Sequence, residues 1–188
     1  VATAQCLNKV FGDWNIEQLF TIKEGRRNLV WSIEKLCFWE STFEAAAKIM
    51  LKFAVAENET WGNNATNQFL QLYHSLLSGT QTPPFARLGV IDYALQQHGK
   101  PYSILAIKAL GAGLETHWFS RSSGVEKQGS RAPLSDWRPK VWGEIFDYWR
   151  ECLKRLEIIA KGDDAELANL ASQQILDNIR GLAAYGLL

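Results

Sequence analysis

The stretch Trp142-Gly143-Glu144-Ile145-Phe146-Asp147-Tyr148-Trp149-Arg150-Glu151-Cys152-Leu153-Lys154-Arg155-Leu156-Glu157-Ile158-Ile159-Ala160 decides the fold. Trp142, Ile145, Phe146, Trp149, Cys152, Leu153, Leu156, Ile159 and Ala160 recur at alternating steps of three and four, which predicts one apolar stripe along a helix. Lys140, Glu144, Asp147, Arg150, Lys154 and Lys161 fall off that stripe. Glu151 and Arg155 have the i,i+4 spacing and order of a favourable ion pair. Gly162 ends the helix, and Asp163 with Glu166 has capping-box spacing for the next one. Leu167, Leu170, Ala171, Ile175 and Ile179 supply its buried face, so the two helices form a hairpin with a very short turn.

The same punctuation continues upstream. Leu29, Val30, Ile33, Leu36 and Cys37 mark one helix, and Phe38 and Trp39 leave room only for a tight corner. Ser41 with Glu44 predicts a capping box for a helix through Phe43, Ala46, Ala47, Met50, Leu51 and Ala54. Phe69, Leu70, Leu72, Tyr73, Leu76 and Leu77 predict a helix stopped at Gly79. Thr82-Pro83-Pro84 opens another that runs through Leu88, Ile91, Tyr93 and Leu95 toward Gly99. Pro101 starts the next, which the Gly111 and Gly113 pair is expected to loosen. The segment from Phe11 to Arg27 suits either a short helix or an extended stretch. No segment alternates as a strand does, and no Asn-Gly or Asp-Gly turn joins two β-branched runs. The expected fold is all-α, with about eight helices in antiparallel hairpins stacked as an irregular, HEAT-like α-solenoid or closed into a compact bundle.

Composition narrows the function classes. The 188 residues fit a single domain over 1–188, and 47% hydrophobic content excludes disorder. Lys+Arg and Asp+Glu are both 20, so no net field attracts polyanions. No apolar run reaches bilayer length. Cys6, Cys37 and Cys152 are odd in number, widely spaced and set among apolar neighbours, which predicts three buried thiols rather than a disulfide framework. No secretory signal leads the chain, so the expected compartment is the cytoplasm and the acceptor-like Asn58-Glu59-Thr60 and Asn64-Ala65-Thr66 are accidental. The chain opens on Val1 and ends on the apolar Leu187 and Leu188, which suggests a fragment of a larger protein.

Two loops stand out. In Glu57–Asn67, Trp61 is flanked by amides. Either it presents a flat ring and hydrogen-bonding edges to a partner, or Asn63 or Asn64 caps the next helix while Trp61 folds over the corner. The second loop, 114–138, is long for a compact domain. It carries His117, Trp118, Phe119, Arg121, Arg131, Trp137 and Arg138. From Leu114 to Lys140 there are five basic and three acidic residues, too small a surplus for an electrostatic nucleic-acid site. Aromatics interleaved with arginine suit a peptide, a phosphate or a single strand. The same rings also suit anchors folded back on the helices.

Reactive chemistry is absent at the level of motifs. There is no G-x-x-x-x-G-K-[ST]; Ser130 stands where a P-loop lysine would follow Gly129. There is no H-E-x-x-H or G-x-S-x-G, and His74, His98 and His117 are scattered. Glu115 and His117 are two apart and would not share a helix face. No catalytic, metal or cofactor residues are therefore expected.

Several stretches together, Gly25-Arg26-Arg27-Asn28-Leu29-Val30-Trp31 leading to Glu34-Lys35-Leu36, Phe43-Glu44-Ala45-Ala46, Ala56-Glu57-Asn58-Glu59-Thr60-Trp61-Gly62-Asn63-Asn64-Ala65-Thr66, and Asp136-Trp137-Arg138-Pro139, resemble a helical region of very large bacterial multidomain proteins. Some of those are STAND-type NTPases associated with antiviral defence, in which an effector and an NTPase precede a helical sensor region. The resemblance implies a place in a larger architecture and no chemistry of its own. The expected function is a non-enzymatic recognition or scaffold module that binds a protein partner or neighbouring domains of its own chain. Its candidate contacts are Trp61, Asn63, Asn64, His117, Trp118, Arg121, Arg131, Trp137 and Arg138. The alternatives are nucleic-acid binding through the 117–138 loop and, last, an enzyme using Glu115 and His117.

Overall fold

A computed structural model describes residues 2–97, 99–117, 130 and 134–187. All the regular structure among them is helical: α1 (Ala2–Phe11), α2 (Ile16–Phe20), α3 (Arg26–Cys37), α4 (Glu40–Val55), α5 (Ala65–Gln71), α6 (Pro84–Gln96), α7 (Lys100–Leu114), α8 (Trp142–Ala160) and α9 (Ala165–Ala184). No helix is long and apolar enough to cross a membrane among these residues.

The arrangement follows from α4. Phe43, Ala46, Ala47, Ile49, Met50, Leu51, Phe53 and Ala54 are all buried, so this helix is apolar on almost every side and has to be surrounded. It packs against α1, α2, α3, α5, α6 and α7. A rod with six neighbours gives an all-α packing of the bundle or irregular-solenoid kind that the sequence led us to expect. A second hub, α7, packs against α5, α6, α8 and α9. There Gly113 is needed for close approach: a Cβ on it would lie 2.9 Å from the Tyr148 hydroxyl and 3.0 Å from the Cys152 sulfur. The hydroxyl donates to the Tyr73 carbonyl at 2.7 Å, locking α8 to the chain after α5. Arg155 ties α8 to α6 through a two-point contact with Asp92 at 2.8 and 3.0 Å, and also holds Glu151 at 2.6 Å, the ion pair expected from spacing.

Several expectations need correction, each for a physical reason. The helix placed over Phe69 to Leu77 ends at Gln71. The guanidinium of Arg87 takes the carbonyls of Leu72 and His74 at 3.1 and 2.9 Å, so they are lost to a helical ladder. Leu76 and Leu77 are consequently exposed, and Leu77 sits at a φ of 53°. Gly111 and Gly113 do not loosen α7, which runs through both to Leu114, because they make room for neighbours. The α4 helix starts at Glu40 with Trp39 as its cap, so Ser41 lies inside it. Asp164 rather than Asp163 caps α9, its carboxylate accepting from the amides of Glu166 and Leu167. Cys6 is exposed on α1, whereas Cys37 and Cys152 are buried as expected. Burial pushes both buried thiols up, Cys152 to about 12, which leaves them unreactive. Between Phe11 and Arg27 the open choice resolves as the short α2, whose Asn15 and Gln18 form a reciprocal capping box.

Candidate functional site

The polar loop 57–67 is built around two neighbouring arginines at the start of α3. Arg26 is fully buried. It donates to the carbonyls of Leu19 at 3.1 Å, Phe53 at 2.7 Å and Ala56 at 2.6 Å, joining the end of α2 to the end of α4. Its guanidinium lies 5.0 Å from the Phe53 ring centre and its Nε 3.9 Å from Glu57. Desolvation lowers its pKa, while Glu57 and Glu59 work to keep it charged. Glu57 is thereby held in place and in turn organises the loop. One of its oxygens accepts from the amides of Asn58 and Glu59 at 2.9 and 3.0 Å, the other from that of Thr66 at 3.1 Å. Asn64 is the N-cap of α5, accepting from the Asn67 amide at 2.9 Å and donating to the Glu59 carbonyl at 2.9 Å.

Arg27, the next residue, points outward. Its guanidinium carbon lies 4.4 Å from the Trp31 ring centre and 4.6 Å from that of Trp61. The Trp61 indole nitrogen donates to the Glu59 carboxylate at 2.8 Å. The result is a Trp31–Arg27–Trp61 stack in which Trp61 remains 45% exposed. Such stacks gain from the quadrupole of each ring. Asn64 caps the helix, as one reading expected, and Trp61 leans on Arg27 with 45% of its surface exposed.

The other candidate loop is elsewhere. Trp137 donates its amide to the Thr80 carbonyl at 2.8 Å, and its half-buried ring faces Arg87 at 5.9 Å. Asp136 accepts from the Gly79 amide at 2.7 Å. Trp137 is therefore an anchor. Thr80 and Gln81 in turn bond to the Phe38 carbonyl, at the far end of α3 from Arg27. Eleven residues of helix at 1.5 Å each separate Arg27 from Phe38 by roughly 17 Å, so Trp61 and Trp137 are held near opposite ends of α3. Glu115, at the start of the second loop, instead lines a groove with Asn67 of the first. Arg138 and His117 are exposed and Asn63 is half-buried; Trp118, Arg121 and Arg131 lie outside the described residues. Arg26, Arg27 and Trp31 lie in the Gly25–Trp31 stretch, and nothing local in the sequence marks them as part of the site. Their one signal is their company, a pair of arginines leading a helix in the same set of stretches as Trp61.

Neither a family model, a curated protein nor a solved structure matches this chain. The site is therefore judged by its own chemistry.

Glu115 is joined by a histidine from another part of the chain, and not by His117, which was expected not to share a helix face with it. His74 Nδ1 lies 3.5 Å from its carboxylate, while His117 is exposed and nearby in charge only. Burial lowers His74 to about 4, and a hydrogen bond to the Ala112 backbone works the other way. Burial raises the Glu115 carboxyl. An unfolded histidine titrates near 6.5, so the unfolded chain binds the extra proton first and stability rises with pH between about 4 and about 6.5. Glu115 opposes this just above its ordinary range, since its folded form holds a proton longer. The net expectation is that the His74 contribution falls by about 2 kcal/mol from about pH 7 to about pH 5. Urea unfolding of the wild type and His74→Gln at both pH values checks it: the variant should lose less stability on acidification.

Proposed function

We propose that this chain is a non-enzymatic helical recognition module that binds a protein partner through the Trp31–Arg27–Trp61 stack. The carrying observation is that an exposed tryptophan is held rigidly, by a stacked cation on one face and a carboxylate on its indole N–H. Tryptophan and arginine dominate protein-binding hot spots because they contribute large contact area for little lost freedom. Zero formal net charge disfavours nucleic acid, as does the inward-turned Trp137. Two of the four stretches that resemble the helical region of STAND-type bacterial proteins carry the stack, which supports a sensor or assembly role within a larger cytoplasmic protein.

A photo-crosslinking side chain at the exposed position 60 of the full chain, which leaves Trp61 in place, tests this reading in the native cell. One protein species should crosslink from position 60 and not from the exposed position 173 on α9, and Arg27→Ala should reduce the yield roughly tenfold. Equal yields from both positions, or crosslinks to nucleic acid, would overturn it. Trp61→Ala should leave the melting temperature within about 2 °C of wild type, since an exposed ring contributes little to folding.

A further inference from the structure

Beside the 57–67 loop, residues of α5, α7 and α9 line an open groove of about 450 Å³, within the ordinary range for ligand sites. Lys108 and Ala112 line it from α7, and Glu115 from the C-cap position just beyond that helix, so a cation and an acid stand two turns apart along one edge of the groove. That spacing is about 10 Å between backbone positions, and both side chains are exposed along the groove. Carboxamides complete the lining: Asn67 and Gln71 from α5, and Gln174 from α9. Gln174 depends on the missing side chain at Gly111, where a Cβ would lie 1.8 Å from its carboxamide oxygen. His74 backs the Glu115 carboxylate at 3.5 Å.

We infer that this groove binds a dipeptide-sized zwitterion, its carboxylate at Lys108 and its ammonium at Glu115. The two termini of a dipeptide lie roughly 6 Å apart, one Cα step plus the end groups, which suits a pair of charged arms reaching from about 10 Å. Its central peptide group presents one donor and one acceptor, and carboxamides supply both complements. Leu70 and Ala112 leave an apolar margin for a side chain. The groove borders the loop that displays Trp61 at Asn67, whose side chain donates to the Gly62 carbonyl at 3.2 Å.

Isothermal titration with L-alanyl-L-glutamine, its N-acetyl derivative and its methyl ester tests the assignment on the whole chain. Wild type should bind the free dipeptide most tightly. Lys108→Gln should weaken the free and acetylated forms roughly fivefold to tenfold and leave the ester unchanged. Glu115→Gln should weaken the free form and the ester and leave the acetylated form unchanged. Melting temperatures verify that both variants fold. No heat with the wild type at millimolar dipeptide, or equal losses for all three compounds in both variants, would overturn the inference.

Discussion

Arg26→Met is expected to lower the unfolding free energy by about 4 kcal/mol, and the melting temperature by roughly 8–16 °C for a domain of this size. The guanidinium is fully buried and satisfies three carbonyls from two elements. Methionine keeps much of the volume and none of the donors, so the Leu19, Phe53 and Ala56 oxygens lose charge-assisted bonds in a dry site. Lysine should rescue little, because one ammonium cannot reproduce a planar fork that spans carbonyls from both helices. Thermal and urea unfolding measure the loss. A change below about 1 kcal/mol would mean that the arginine is dispensable to the packing.

Arg87→Met should be of similar size, about 4 kcal/mol, and act on the other end of the molecule. Arg87 donates to Thr82 at 2.7 Å, Leu72 at 3.1 Å and His74 at 2.9 Å. Burial lowers its pKa to about 10, opposed by Tyr148, Tyr73 and Asp136, so it is still charged near neutrality. It holds the irregular segment 72–82 open as a loop and receives the ring of Trp137. Removing it should release both and expose the indole. A red shift and added quenching of tryptophan emission under native conditions, together with the lower urea midpoint, would report that release. Because Arg26 and Arg87 share no partner, the double variant should lose close to the sum of the two, within about 0.5 kcal/mol if it still folds.

These two arginines explain what was and was not legible in the residue order. Helices α8 and α9 were plain in extent, because a sustained stripe and a glycine stop are local signals, but Trp142 and Ile179, expected on their apolar faces, are exposed. Pro84 and Pro101 likewise marked true starts. Arginine is ordinarily exposed, so nothing local distinguished the buried Arg26 from the outward Arg27 beside it. The error at Leu76 and Leu77 has the same origin: their spacing was helical, but a distant guanidinium claimed the carbonyls a helix needed. Gly111 and Gly113 looked like breakers, yet in a helix packed on two sides a glycine is also the cheapest way to admit a neighbour. The pairing of His74 with Glu115 joins the end of one helix to the end of another and carried no local trace. For the candidate site, Trp61 and Asn64 were visible as an aromatic among amides and as a cap. The cation that displays the ring was not.

The account rests on the loop 57–67 being ordered before any partner arrives. Amide hydrogen exchange in the free wild-type chain tests this most directly at Glu59, Thr66 and Asn67, whose N–H groups are bound by Glu57 and Asn64 side chains. The account predicts exchange slowed by roughly a hundredfold or more at all three. Exchange there at the rate of an unstructured peptide would contradict it.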